Sequence, residues 1–498
     1  MDVFSGILTG FQTVLDPVNL LFCFGGVFIG TLVGVLPGIG PVGAMSILLP
    51  TTYGLSPVSS IIMLAGIFYG AMYGGSTTSI LVNIPGEAAS VVTCLDGYQM
   101  ARKGRAGPAL GISALGSFIG GTFSIFALVF LVFPLAQTAL KFGPPEYFSI
   151  IFMSMIILTY MAAGSFVKAI LMVLIGLILG TVGIDSVSGV ARFSFGSTSL
   201  LDGMGLVPVA MGLFGIAEVL SNLEVEIKRS ILETRIKHLL PTLQDWRRSI
   251  GPIIRGSFIG FFLGILPGPS PVVSSFLSYS IEKKISRDPG AFGQGAIEGV
   301  AGPETANNAA TGGSFVPLLA LGIPPNVSMG LLLGALMIHN IIPGPLLITQ
   351  HPNVFWGLIT SMYVGNIMLV LLNLPLIGIW VKVLKIPYRL LMPLILLCCL
   401  IGAYSISNNI VDIIIMVIFG IVGYILRKFD YEMAPLILAF VLGPMLEKHF
   451  RTSLIMSDGN LLVFLERPIS CVTLIISALL LVSTGFSYYR KMKGRVIT

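Results

Sequence analysis

Runs of about twenty apolar residues recur along the whole chain and limit what it can fold into. A helix that crosses a bilayer needs about 20 such residues, because the hydrocarbon core is about 30 Å thick. Hydrophobic residues make up 55% of the sequence, charged residues only 10%, and the mean hydropathy is +0.96. We therefore predict an all-α polytopic membrane protein with about 12 transmembrane segments. The apolar stretches, some of them too short or too interrupted to cross alone, are 18–36, 56–74, 110–137, 146–164, 166–184, 203–222, 253–266, 312–334, 353–381, 388–406, 408–426, 433–446 and 468–486.

The positive charge of the chain does not indicate nucleic-acid binding. The formal net charge is +6, and the Lys and Arg residues stand in short connections between apolar stretches, which is the bias of cytoplasmic loops in membrane proteins. The cysteines are scattered without metal or redox spacing, which favours small buried hydrophobes. No Lys or Arg precedes Arg102, so the first apolar stretch lacks the basic region of a signal peptide and is predicted to stay in the mature chain.

A helix-breaking motif occurs twice, 230 residues apart, as GVLPGIGP at Gly34–Pro41 and GILPGPSP at Gly264–Pro271. The alignment extends on both sides of the motif. The matched features are the ladder Gly26, Gly30, Gly34 with Gly256, Gly260, Gly264, then YGGS at 73–76 with TGGS at 311–314, and IPG at 84–86 with IPP at 323–325. The sequence therefore predicts two related halves, with the last span unpaired.

Charge in matched loops predicts that the two halves have opposite orientations. Each basic loop of one half matches a loop of the other half that has fewer Lys and Arg residues or none. In every matched pair the basic loop is the one expected on the cytoplasmic side if the two halves are inverted. Under the positive-inside rule this gives inverted-topology repeats, with a periplasmic N-terminus and a cytoplasmic C-terminus. Examples are Arg102, Lys103 and Arg105 against His339–Pro352, and Lys283, Lys284 and Arg287 against Pro50–Leu55.

Four parts follow from this reading. They are a first membrane repeat at 1–223, a cytoplasmic connector at 224–250, a second, inverted repeat at 251–450, and a last span with a basic tail at 451–498. The connector has two open interpretations. It is a solvated linker, or it is an amphipathic helix at the membrane surface, since Glu224 and Lys228, like Glu233 and Lys237, are spaced i,i+4.

Helix breaks at membrane depth are tolerated only against protein or a watery cavity, because every backbone polar group needs a partner. Breaks at matching positions of inverted repeats point to the central binding site of a transporter. The glycine ladders beside them favour close helix packing rather than a site. The residues predicted to break the helices and to act as hinges are Pro37, Gly38, Gly40, Pro41, Pro267, Gly268, Ser270 and Pro271.

A second pair of clusters, GGSTTS and PETANNAATGGS, is richer in polar groups. We predict that each interrupts a helix and caps a new half-helix, whose N–H groups and positive end suit a carboxylate. In the alternative interpretation the hydroxyls and amides only satisfy the backbone where helices end. The predicted substrate-binding residues are Gly74, Gly75, Ser76, Thr77, Thr78, Asn83, Asn307, Asn308, Thr311, Gly312, Gly313 and Ser314.

A coupling cation, Na⁺ or H⁺, is predicted to bind beside the substrate, with hard oxygen ligands as candidates. These are Asn308, Ser76, Ser314 and Glu304; the last lies in a polar stretch compatible with a loop at the cytoplasmic mouth. No cofactor or transition metal is predicted. The chain has no HExxH motif and no nucleophile with a base, so an enzyme is not indicated. An anion channel and a structural membrane subunit of a larger complex stay open, although inverted repeats favour a carrier.

Four stretches, GVLPGIGPVGAMSILLP, FYGAMYGGSTTSILVNIPGEAAS, EGVAGPETANNAATGGSFVPLLALGIPP and APLILAFVLGPMLEKHF, resemble the large membrane subunit of the tripartite tricarboxylate transporters. The resemblance covers nearly the whole chain. It implies a bacterial inner-membrane permease that works with a small membrane subunit and a periplasmic solute-binding protein. It also implies ion-driven secondary uptake of a citrate-like tricarboxylate or another organic acid. One departure is Pro325, which stands where members of the family tend to have glycine and removes an N–H donor.

Overall fold

The computed structural model describes residues 3–36, 38, 40–162, 165–185, 187–224, 239–386 and 388–495, apart from the side chains of 388–389 and 484–495. The described chain is almost entirely helical. In the first half the helices are α1 Val3–Val14, α2 Pro17–Val35, α3 Gly40–Leu48, α4 Pro57–Val82, α5 Val91–Arg102, α6 Ala106–Ala139, α7 Pro144–Met161, α8 Phe166–Gly180, α9 Leu206–Ala210 and α10 Ala217–Glu224, the last two joined by a π-helical stretch.

The second half continues the helical pattern. Its helices are α11 Leu243–Ile265, α12 Ser270–Ile285, α13 Glu298–Gly313, α14 Phe315–Leu321, α15 Val327–Ile338, α16 Leu347–Gln350, α17 Pro352–Asn373, α18 Ile377–Val383, α19 Tyr388–Ser407, α20 Ile410–Lys428, α21 Met433–Met456, α22 Val463–Glu466 and α23 Pro468–Arg495. Between α8 and α9 lies one antiparallel ribbon, β1 Gly183–Ile184 and β2 Ala191–Arg192.

Several helices begin where the sequence carries a cap. Asp16 accepts hydrogen bonds from the N–H groups of the first turn of α2, and Ser56 does the same for α4. Both caps are followed by proline, whose fixed φ and missing N–H suit the first helical position. Thr242 and Asp245 form a capping box at the start of α11.

Eight helices of the described chain are long and apolar enough to cross a membrane, and four shorter apolar helices accompany them. The chain is therefore a multi-pass membrane protein, as predicted. The helix α4 is buried almost throughout, whereas α19 and α20 expose most of their apolar side chains. The count of about 12 spans and the inverted orientation of the halves stay predictions.

The two glycine ladders pack against matching helices. Added Cβ atoms on the α2 ladder would meet carbonyl oxygens of α4, and those on the α11 ladder would meet carbonyl oxygens of α13, each time one helical turn apart. This confirms the packing interpretation, because only glycine lets two helix backbones approach so closely. The pairs are Gly26 with Met63, Gly30 with Ile67 and Gly34 with Ala71, then Gly256 with Gly302, Gly260 with Ala306 and Gly264 with Ala310.

Both Pro-Gly motifs break their helices at the predicted positions. The first break separates α2 from α3 and the second separates α11 from α12. Gly38 has φ +106° and Gly268 has φ +135°, conformations that residues with a side chain rarely adopt. Pro37 lies outside the described residues.

The GGS clusters do not break helices, so that prediction was wrong. The helix α4 runs unbroken through Gly74–Ser79, and Ser314 keeps helical φ and ψ between α13 and α14. Thr78 Oγ1 donates to the carbonyl of Val35 at the end of α2, at 2.6 Å. The hydroxyls of Ser79, Thr311 and Ser314 donate to carbonyls of their own helices. These hydroxyls therefore form hydrogen bonds with backbone carbonyl groups, as in the alternative interpretation.

The real turns come later in each half. The helix α4 ends at Val82 and is followed by Asn83 with φ +59°, and α14 ends at Leu321 and is followed by Gly322 with φ +72°. Prolines follow in both turns and cannot supply the N–H groups that would continue a helix. Each half therefore contains a helical hairpin with its tip at 83–87 or 322–326, and the predicted single span 312–334 is instead divided by the second tip.

The predicted connector is only partly covered. Residues 225–238 lie outside the described part, so the choice between linker and surface helix is not decided there. The helix α11 begins at Leu243 and thus includes the end of the stretch assigned to the connector.

Four charged residues tie the β-ribbon to α21. Arg451 donates to Asp185 at 2.6 Å and to Glu447 at 3.1 Å, and Arg192 binds Glu447 with two hydrogen bonds of 2.8 and 3.1 Å. Asp185 also accepts from the hydroxyl of Ser188 at 2.5 Å. Opposite charges alternate around this cluster, which fixes the connection between α8 and α9.

Asp185→Asn is expected to lower the unfolding temperature modestly at pH 7. Hydrogen bonds from Ser188, Arg451 and the N–H of Val187 hold the pKa of Asp185 well below the usual value of about 3.9. A carboxylate with a lowered pKa stabilises the fold above its unfolded pKa and loses that contribution as the pH falls towards the folded pKa. The difference between wild type and variant should therefore shrink below about pH 4.

Thermal unfolding of the purified protein across this pH range measures the effect. Asp202→Asn, at an exposed position of the same connection, is the control. A difference at pH 7 that persists unchanged at pH 3 would contradict the assigned charge role of Asp185.

Candidate functional site

Four turns of the chain meet around a cavity of about 350 Å³. The two Pro-Gly breaks contribute Gly40–Gly43 and Gly268–Val272, and the two hairpin tips contribute Glu87–Ala88 and Asn326–Ser328. The N–H of Gly268 donates to the carbonyl of Pro325 at 2.9 Å, so one break is bound directly to a hairpin tip. The cavity thus lies where the features that the sequence repeats come together.

Three helices begin at this cavity, which places their N-termini in or beside its wall. They are α3 at Gly40, α12 at Ser270 and α15 at Val327, and a short 3₁₀ turn at Ala88–Ser90 starts beside them. First-turn N–H groups lack partners inside their helix and carry about half a positive charge in sum. Asn326 caps the N–H of Met329 in α15, whereas no side chain caps α12. This arrangement suits a bound anion.

The rest of the wall is mostly apolar. Three carboxylates also line it, those of Glu87, Glu218 and Glu432. Glu218 pairs with Arg427, and Glu87 accepts a hydrogen bond from the N–H of Ala89 at 2.5 Å. No Lys, Arg or His occurs among the described residues of the wall, so backbone N–H groups at the helix N-termini are its candidate donors for an anion. The apolar lining includes Phe68, Met72, Leu158, Phe214, Val272 and Leu438.

The sequence predictions divide into two groups in space. Of the predicted hinge residues, Gly40, Pro41, Gly268 and Pro271 line the cavity. Among the described residues, none of those predicted to bind substrate does so. Gly74–Thr78 and Asn307–Ser314 lie on α4 and α13–α14 behind the wall, and Asn83 is exposed at the first hairpin tip. A direct substrate role for them stays a prediction.

Behind the cavity, polar side chains of α4, α5, α6 and α13 surround Glu304. This residue lies inside α13 and is only 1% exposed, which corrects its placement in a loop at the cytoplasmic mouth. Its two carboxyl oxygens accept hydrogen bonds from the hydroxyls of Ser76 and Thr93. Asn308 Nδ2 donates to Ser117 Oγ at 2.7 Å and to the carbonyl of Glu304 at 3.1 Å.

Asn307 links this buried cluster to the cavity. It stands one helical turn after Glu304 on α13, and its Nδ2 lies 3.4 Å from Glu87 Oε1 on the cavity wall. The predicted ligands Ser76, Asn308 and Glu304 are therefore brought together, but behind the cavity wall rather than on its surface.

Two small voids flank the buried cluster. One, of about 10 Å³, is lined by Tyr73, Ser76, Thr77, Leu110, Ser113, Ala114 and Asn373. The other, of about 20 Å³, includes Asn308, Thr311, Gly312 and Asn366 in its wall. Each is close to the size of one water molecule.

Sequence reasoning missed Thr93, Ser113, Asn366 and Asn373. These residues come from α5, α6 and α17, far from the motifs in sequence. One local signal was present. Asn366 lies within the largely apolar helix α17 and Asn373 is its last residue, and buried polar side chains in an apolar span mark functional or packing sites.

No group of three or more His, Cys, Asp or Glu residues is placed to hold a metal ion in the part of the chain that the structure describes. Hydroxyl and amide groups line both small voids, and such oxygens suit hard monovalent ions.

Comparison with known proteins adds the following. A family model described as "Tripartite tricarboxylate transporter TctA family" matches residues 20–438. The chain is 50% identical over 496 residues to an uncharacterized 52.8 kDa protein in the TAR-I ttuC' 3' region of Agrobacterium vitis, which covers 100% of this chain and 99% of that protein. It is also 54% identical over 211 residues to a protein in the TAR-II ttuC' 3' region of the same organism, covering 42% of this chain and 87% of that protein.

A more distant relative comes from Methanocaldococcus jannaschii. It is 26% identical over 271 residues, which cover 53% of this chain and 62% of that protein. No solved structure matches the chain.

Proposed function

Because this chain belongs to the tripartite tricarboxylate transporter TctA family, we propose that it is a secondary carrier for a carboxylate anion in a bacterial inner membrane. Transporters of this family combine the large membrane subunit with a small membrane subunit and a periplasmic solute-binding protein. The proposed partners of this chain are those two proteins. The proposed driving force is a gradient of Na⁺ or H⁺.

The cavity between the Pro-Gly breaks and the hairpin tips carries the proposal. Its volume of about 350 Å³ falls in the range of small-molecule sites, about 300–1,000 Å³. Helix N-termini at Gly40, Ser270 and Val327 supply N–H donors for carboxylate groups, while apolar side chains surround the carbon skeleton. The substrate class is a citrate-like tricarboxylate or another organic acid of similar size.

The same geometry supports alternating access. Broken helices on both sides of a central site are the elements that move or rearrange in carriers built from repeats. Gly38 and Gly268 hold conformations that give each break a sharp turn. Both breaks border the cavity, so a movement of either would change its access.

Uphill uptake in proteoliposomes tests the proposal. We expect the chain, reconstituted with its small membrane subunit and binding protein, to accumulate labelled carboxylate above equilibrium when a Na⁺ or proton gradient is imposed. Collapse of that gradient with an ionophore should release the accumulated label, because a secondary carrier couples the two fluxes.

Two other results would replace the carrier with a different function. Flux that only equilibrates the label, whatever the gradient, would identify an anion channel. Uphill flux that persists in vesicles containing the small membrane subunit and binding protein, but not this chain, would leave it a structural subunit.

A further inference from the structure

We infer that the void of about 10 Å³ between α4, α6 and α17 is a Na⁺ site whose counter-charge is the buried carboxylate of Glu304. The inference rests on the proposed carrier function and deepens it, since it assigns the coupling ion and its place. It does not depend on which carboxylate is transported.

The wall of the void is rich in oxygen atoms, and the residues that form it are buried. Tyr73, Ser76, Thr77 and Ser113 bring hydroxyl groups, Asn373 brings an amide, and all five residues are buried. Hydroxyl and carbonyl oxygens are the ligands that Na⁺ takes in carriers. A void of this size accepts one particle as large as a water molecule, and Na⁺ is of similar size.

Asn373 supplies an independent indication of a ligand. Its Nδ2 donates to the carbonyl of Leu369 at 2.9 Å, whereas its Oδ1 is buried and has no hydrogen-bond partner among the described atoms. Buried polar atoms without partners are costly and rare, so each calls for an explanation. A cation in the void would coordinate this oxygen.

Charge favours Na⁺ over a water molecule. Glu304 accepts hydrogen bonds from the hydroxyls of Ser76 and Thr93, and no Lys, Arg or His forms an ion pair with it within the described residues. An uncompensated carboxylate in a membrane protein's interior is expensive. Ser76 lies between this carboxylate and the void, so Na⁺ there would compensate its charge, which water cannot do. A proton on Glu304 alone would leave Asn373 Oδ1 without a partner.

The position of the void explains how the ion would affect the substrate. Ser76 and Thr77 belong to α4, which ends at the first hairpin tip, and Glu87 of that tip lines the substrate cavity. Asn307, which follows Glu304 on the same helix α13, donates to Glu87 at 3.4 Å. Na⁺ would thus stabilise the helices that shape the cavity and raise the affinity for substrate, and by linkage the substrate would raise the affinity for Na⁺ by the same factor.

Thermal unfolding of the purified full-length protein in NaCl and in KCl tests the site without transport. We expect Na⁺, but not K⁺, to raise the unfolding temperature, because a ligand that binds only the folded state stabilises it. Asn373→Ala and Ser113→Ala should raise the Na⁺ concentration for the half-maximal shift by about tenfold or more. Glu304→Gln should abolish the shift, since it removes the counter-charge.

Ser257→Ala is the matched control, because Ser257 is equally buried but its hydroxyl donates only to its own helix, to the carbonyl of Ile253. Its Na⁺ response should equal that of the wild type. Asn373→Ala and Ser113→Ala change residues of two different helices that line the void. If one variant fails to fold, the other still tests the site.

Equal unfolding temperatures in NaCl and KCl would overturn the Na⁺ site and leave the void to water. Uphill uptake driven by a proton gradient alone, without Na⁺, would also overturn it while the carrier function stands. Conversely, an intact Na⁺ response in a protein that shows no uphill uptake would support the site and defeat the carrier. The two proposals therefore fail in different ways.

Discussion

Val272→Trp is expected to reduce carboxylate uptake by about 100-fold or more while the protein stays folded. Val272 lies in the first turn of α12 and its side chain borders the substrate cavity. An indole at this position would occupy space beside the N-terminus of α12, where we place a substrate carboxylate. Even small displacements from a productive binding position cost large factors in rate.

Phe276→Trp is the control for this prediction. Phe276 lies one turn further along α12, is exposed to 45%, and is not part of the cavity wall. This variant carries the same indole on the same helix but outside the cavity wall, so uptake should stay near the wild-type level. Labelled-substrate uptake in proteoliposomes, with size-exclusion chromatography to confirm folding, measures both variants. Normal uptake by folded Val272→Trp would mean that the substrate passes by another route.

Gly30→Ala is expected to destabilise the protein by about 3 kcal/mol, at the upper end of the usual cost of overpacking. A Cβ at this position would stand 2.5 Å from the carbonyl oxygen of Ile67 and 2.9 Å from that of Gly66. Both are backbone atoms of α4 and cannot rotate away as a side chain would. The helices α2 and α4 would have to separate, and α4 carries Ser76 and the first hairpin.

The neighbouring Gly25→Ala is the matched control. Apart from its chain neighbours and the backbone of its own helix, no described atom lies within 4 Å of a Cβ added there. The change should therefore be neutral or stabilise α2 by about 0.5–1 kcal/mol, the usual advantage of alanine over glycine inside a helix. Unfolding temperatures in detergent compare the two variants. If both behave alike, α2 and α4 do not pack in the described way.

The predictions that the structure confirmed depend on chemistry that acts locally along the chain. Long apolar runs require helices in a membrane, and Pro37–Gly38 or Pro267–Gly268 interrupt a helix in any context. The spacing of the glycine ladders likewise indicated close packing before the partner helices were known. The structural effect of these features does not depend on which other segment of the chain packs against them.

The predictions that failed depend on weaker local preferences. Glycines and hydroxyls at Gly74–Ser79 read as a helix break, yet packing against α2 and hydrogen bonds such as Thr78 to Val35 keep α4 intact. Serine and threonine satisfy backbone groups either at a helix end or inside a helix, so only their surroundings decide which. The polar, glycine-rich stretch around Glu304 likewise resembled a loop in sequence, yet it folds as the buried helix α13.

Hydropathy, proline and glycine were enough to predict an all-α membrane protein with two matched helix breaks, because they act through the backbone and the bilayer. The resemblance to the family was also visible in sequence motifs. The places where the polar groups meet became known only from the packing of the helices. The cavity joins turns more than two hundred residues apart, and the void joins Ser76, Ser113 and Asn373 from three helices. Such sites arise from contacts between distant segments, which no local pattern encodes.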